Sequence, residues 1–165
     1  MSLAKSFIAE LNSEAPVTRK ILALVPTDQK VYKIHHKSME LGRLAKHVAE
    51  LPTWITFSIK SNELDFSKGW TPSPDFNSGE ELVAQFDKNV AEAIEALSTA
   101  TDEQLEQPWT LRNGETIYFT MPKKTVIRSM AFNHFIHHRA QLGVYLRLLD
   151  IPIPGAYGPS ADDKM

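Results

Sequence analysis

The residues with the most chemistry in this sequence lie in the run NHFIHHRAQ, where His134 and His138 stand four apart. Positions four apart on a helix project from nearly one face, so the two imidazoles can offer nitrogens to a single metal ion. His137, three after His134, meets the same geometric condition, and the local motif alone does not choose between them. The apolar stripe favours His138: Ile127, Ala131 and His134 continue by fours and threes to His138, Gln141 and Tyr145, leaving His137 to one side. Such a pair by itself carries a structural reading at least as well as a metal-binding one. A third histidine shifts that balance. His47 falls between Leu44 and Leu51 on the apolar stripe of another helix, and several imidazoles in one small core need partners that an ion would supply.

The chain has no cysteine, which excludes a disulfide framework, a thiolate-held metal and a thiol nucleophile of its own. Any ion is therefore held by nitrogen and oxygen. Three neutral imidazoles suit Zn, Ni, Cu or Fe, with Zn or Ni the first expectation, and they leave at least one coordination position open to water or a small-molecule substrate. No Glu or Asp beside the histidines stands out as a general base. His35 and His36 lie in a polar stretch and read as solvent-facing. Arg139 has two readings, an anion-binding residue or a partner for a carboxylate or the helix dipole. Asn133 and Gln141 could orient the ligand rings by hydrogen bonds. Trp54, Phe86, Phe132, Phe135 and Tyr145 recur at core spacing and read as packing.

These residues require long helices to position them. The first segment, with Phe7, Ile8, Leu11, Ile21, Leu22 and Leu24, predicts a helix kinked or restarted near Pro16. An extended stretch over 31–36 leads to Ser38, a predicted N-cap, and helix two runs from about Met39 to Ile59. From Lys60 to Asn77 the composition turns to Ser, Asn, Asp, Gly and Pro, a connection long enough to run back along the bundle and let helices two and three lie parallel. Helix three starts near Ser78, with Glu80 and Glu81 in its first turn, and ends around 98–101. WTLRNGETIYF predicts a β-hairpin turning at Asn113-Gly114. Helix four runs from about Lys123 to Leu149 after Pro122, and the Pro-rich tail cannot continue it.

At 165 residues and 42% hydrophobic content, the chain reads as one domain, 1–165, with a core that needs no covalent staples. Eighteen Lys and Arg against twenty Asp and Glu, without a basic block, give no electrostatic support for nucleic-acid binding. No apolar run is long enough to span a bilayer, so the expected location is the cytoplasm, without a membrane partner.

The segments SMELGRLAKHVAELPTW and MPKKTVIRSMAFNHFIHHRAQLGVYLRLLDIPIPGAYGPSADD, in this order, resemble the DinB-like superfamily. The resemblance covers most of the chain. It implies an all-α four-helix bundle of up-down-down-up topology, which agrees with the long crossover after helix two and the small β-hairpin excursion before helix four read from the residues. It also implies a three-histidine metal site in which His47 comes from the second helix and His134 and His138 from the last, with His137 a neighbour. Ala140 stands where the family commonly has Gly. Relatives that use a low-molecular-weight thiol, such as bacillithiol or mycothiol, imply a metal-dependent thiol transferase. The other expectations are a metal-dependent hydrolase or a non-catalytic protein stabilised by its ion. The resemblance further implies a homodimer and no DNA binding.

Overall fold

The structure is a computed structural model that describes residues 2–69 and 73–163. It is mostly helical, with one small three-stranded sheet. Helix α1 (Leu3–Ala23) begins at Ser2, whose hydroxyl accepts from the Lys5 amide, and it runs unbroken through Pro16. The helix is not restarted there, and the reason is position. Pro16 lies on the exposed side, as does Asn12, whose carbonyl loses its helical partner but can be hydrated.

The second predicted helix is two helices. α2 (Leu41–Glu50) and α3 (Thr53–Lys60) are separated at Leu51-Pro52, because Pro52 has no N–H to return to the Val48 carbonyl. The N-cap of α2 is Glu40 rather than Ser38, and the predicted extended stretch over 31–36 is turn and bend. That loop is pinned to α2 through Leu41 N–H to Tyr32 O and Gly42 N–H to Lys30 O, both 2.9 Å. At Gly42 an added Cβ would stand 3.0 Å from the Lys30 side chain, so the close approach favours glycine.

The connection after α3 carries strand β1 (Glu63–Asp65), which the sequence did not disclose. Helix α4 (Gly79–Thr99) is capped as predicted: Ser78 Oγ accepts from Glu81 N–H at 3.2 Å, and Glu81 Oε2 accepts from Asn77 N–H at 2.7 Å. A short α5 (Asp102–Glu106) leads into the hairpin of β2 (Pro108–Asn113) and β3 (Thr116–Pro122), which turns at Gly114 with φ +57°. β1 pairs parallel with β2, β2 pairs antiparallel with β3, and a bulge falls at Leu111/Arg112.

The last helical run opens at Pro122, as predicted, but it is not one α-helix. α6 (Lys123–Val126) passes into seven residues of π-helix, Ile127–Asn133, and α7 (His134–Leu148) follows. Buried Lys123 donates to the carbonyls of Ile59 (3.3 Å) and Ser61 (2.7 Å), tying this run to the end of α3. One apolar core joins α1, α2, α3, α4 and α7, with Phe86 stacked on Phe135 and Phe7 on Phe132. A smaller cluster of Trp109, Leu111 and Val126 sits under the sheet. None of the described helices is long and apolar enough to cross a membrane.

Candidate metal centre

His47 projects from the last turn of α2, and His134 and His138 from the first turns of α7. The structure brings these three together: one ligand nitrogen from each lies within 4.8 Å of the others. The Nε2 atoms of His47 and His134 are 3.2 Å apart, and the three ring centroids are separated by 4.6–4.9 Å. Two imidazoles on one tetrahedral ion, each about 2.0–2.1 Å from it, would hold their nitrogens about 3.3 Å apart. The His47–His134 contact has that spacing already.

Tautomers follow from the neighbours. His138 Nδ1–H donates to Gln141 Oε1 at 2.7 Å, which leaves the Nε2 lone pair of a neutral ring for a ligand. Gln141 therefore has the orienting role open to it from the sequence. Asn133 is exposed and bonds to none of the three rings. The Nδ1 of His134 is buried without a well-formed hydrogen bond. Burial pushes His47 down to about 4, and His138, His134 and Arg43 act in the same direction. Burial also lowers His134, reinforced by His138 and opposed by the Met130 backbone. It lowers His138 too, against the Gln141 hydrogen bond. All three rings are thus neutral near pH 7, the form in which imidazole binds metal.

The other sequence candidates fall elsewhere. His137 is exposed, its ring against His138 at 4.9 Å but outside the cluster. His35 and His36 are exposed, as expected. Arg139 is 2% exposed and forms an ion pair with Glu14, Nη1 to Oε2 at 2.5 Å, so its carboxylate-pairing reading holds. Phe86, Phe132, Phe135 and Tyr145 are buried packing residues. The stripe that singled out His138 crosses the π-helical segment, where α spacing does not hold. The His134–His138 relation survives because both residues lie after that segment.

Two cavities border the cluster, each touching one of its histidines. One of about 530 Å³ is lined by His47 with Arg43, Lys46, Glu50 and Trp54. The other, about 450 Å³, is lined by His138 and Gln141 with Lys37 and Tyr145. Met39 borders both. Sequence reasoning missed Arg43, Lys46 and Glu50 as cavity residues and placed Trp54 only in packing. The signal was present: with His47 they follow helical spacing of three and four along one face of α2.

This fold and histidine cluster define a class, which comparison with known proteins names. The DinB family model matches residues 1–164, and the chain belongs to the DinB family. Among its relatives, the uncharacterized protein YrdA of Bacillus subtilis (strain 168) is 27% identical over 161 residues, covering 95% of this chain and 89% of its own. A DinB-like protein from Bacillus cereus ATCC 10987 superposes with a TM-score of 0.71 at 23% identity, over 93% of this chain and 97% of that one. The DinB-like YjoA of Bacillus subtilis gives 0.69 at 19% identity, over 92% and 96%. These structures share the fold.

Proposed function

We propose that His47, His134 and His138 hold a divalent transition metal, and that the protein is a metal-dependent transferase taking its nucleophile from a low-molecular-weight thiol. The cluster is compatible with metal binding on geometry and on the neutral state of its rings. The observation that carries the transferase reading is the pair of cavities, one beside His47 and one beside His138, which gives two reactants separate access to one centre. Bound by three neutral ligands, a divalent ion would keep its positive charge and supply Lewis acidity that lowers the pKa of a thiol or of water.

The chain's own part is positioning. Gln141 holds the His138 tautomer, while burial keeps His47 unprotonated. Because the chain has no cysteine, the reacting sulfur belongs to the cosubstrate. In this reading the helices form the up-down-down-up bundle implied by the family resemblance. Glu50, which shares the His47 cavity, favours a second reading: a hydrolase in which this carboxylate is the general base.

Turnover of an electrophile panel by metal-loaded protein, with and without bacillithiol or mycothiol, separates the two. The transferase reading predicts product only when thiol is present. Equal turnover without thiol rejects it in favour of hydrolysis.

A further inference from the structure

The arginines of this chain differ in one respect that bears on what enters the site. Arg19, Arg112, Arg128, Arg139 and Arg147 each lie within 4.0 Å of a carboxylate, on Asp87, Glu63 and Asp65, Glu10, Glu14 and Asp162 respectively. Arg43 is the sixth, and among the described residues its side chain makes neither an ion pair nor a hydrogen bond. It lines the cavity beside His47, one helical turn before that histidine, or about 6 Å along the axis. Lys46 lines the same cavity and also forms no ion pair among the described residues. Glu50 is the one carboxylate in the lining, so the cations outnumber it two to one.

The other end of the cavity is apolar. Leu51, Trp54 and Phe66 line it, and Trp54 is braced edge-on against the fully buried Trp109 at 6.0 Å between ring centroids. A braced indole is a preformed surface for an apolar body and loses little freedom when it is covered. At about 530 Å³ the cavity has the volume of a small-molecule site.

We propose that this cavity binds a small organic anion whose acid group is held by Arg43 and Lys46 while its apolar body lies on Trp54 and Phe66. The inference builds on the proposed function by identifying the cavity as the chamber of one reactant. An unpaired guanidinium matches a carboxylate in charge and in its forked donors, and the partly enclosed site strengthens that contact over one in open water. The chamber beside His138 remains free for the second reactant.

Calorimetric titration with 4-phenylbutyrate and its uncharged amide, on metal-free and metal-loaded protein, tests this. The acid should bind at least about tenfold more tightly than the amide in both forms, as for one charge-assisted contact. Arg43→Gln, an exposed substitution whose fold is checked by circular dichroism, should cut that preference severalfold, to what Lys46 alone supplies. Trp54→Ala should weaken acid and amide alike. Equal binding of acid and amide, no binding of either, or an acid preference undiminished by Arg43→Gln overturns the inference. If the acid binds only with metal present and ignores Arg43, the anion sits on the ion: the chamber assignment fails and the metal site stands. If metal does not bind but the Arg43-dependent preference persists, the proposed function fails and the anion site stands.

Discussion

Two adjacent residues of the last helix, His138 and Arg139, are both buried, yet they belong to polar clusters built on opposite principles. Around Arg139 the protein closes the network on itself. Nη1 donates to Glu14 Oε2 (2.5 Å) and Thr18 Oγ1 (3.1 Å), and Nη2 donates to the Tyr157 hydroxyl (2.7 Å), which in turn donates to the Glu14 carboxylate (3.0 Å). Around His138 the cluster is made of rings alone beyond the Gln141 bond: the Nε2 atoms of His47 and His134 face each other at 3.2 Å, where one proton can join them, and the buried Nδ1 of His134 has at most the Met130 backbone for a partner. The first cluster satisfies its groups with charge and hydrogen bonds of its own, whereas the second gathers neutral rings whose spacing is compatible with a metal ion.

Breaking the closed cluster should give the largest change in stability. Glu14→Gln leaves a buried guanidinium without its counter-charge and should cost about 3–5 kcal/mol in urea unfolding. Metal stoichiometry should be unchanged, because Glu14 is in α1 and touches none of the three rings. Loss of metal in that variant would show that the clusters are not independent.

On the histidine side, Gln141→Leu removes the acceptor that orients His138. Metal affinity should fall by about 10–100-fold in competition with a chelator of known affinity, with little change in metal-free stability. Unchanged affinity would mean that the ring is held by packing alone.

Acid should act on the same side. The folded His47 is lowered to about 4 from an ordinary 6.5, so the unfolded chain binds more protons in between. Stability of the metal-free protein, fully present above pH 6.5, is lost as pH falls through about 4, and His134 and His138 contribute in the same direction. In thermal melts His47→Gln should flatten this dependence; an unaltered slope would place the titrating groups elsewhere. The smallest effect is expected from Tyr157→Phe, which deletes one hydroxyl from the closed cluster and should cost about 1 kcal/mol without affecting the ion.

The two clusters also differ in how much of each could be read in the sequence. The histidine one was legible in part from helical period, since His134 and His138 are four apart and His47 falls on an apolar stripe, while the full ligand set with His137 left out came from the family resemblance. The closed one was not, since Glu14 and Arg139 are 125 positions apart and nothing local marks Glu14 as buried. Ser78 was recognisable as a cap because capping is local. β1 escaped notice because three residues that pair in parallel with a distant strand carry no periodic signal. Pro16 does not restart its helix whereas Pro52 ends one, because a proline's effect depends on whether the carbonyl it orphans meets solvent. The π-helical run before His134 has no sequence mark that we can identify.

The central claim is that the histidine cluster takes one metal ion through three named rings. Its most direct test is metal content after dialysis of stripped protein against Zn or Ni. The wild type and His137→Ala should each retain one ion per chain, while His47→Ala, His134→Ala and His138→Ala should each retain far less, with folding verified for every variant. Full occupancy in the His47→Ala protein would contradict the account.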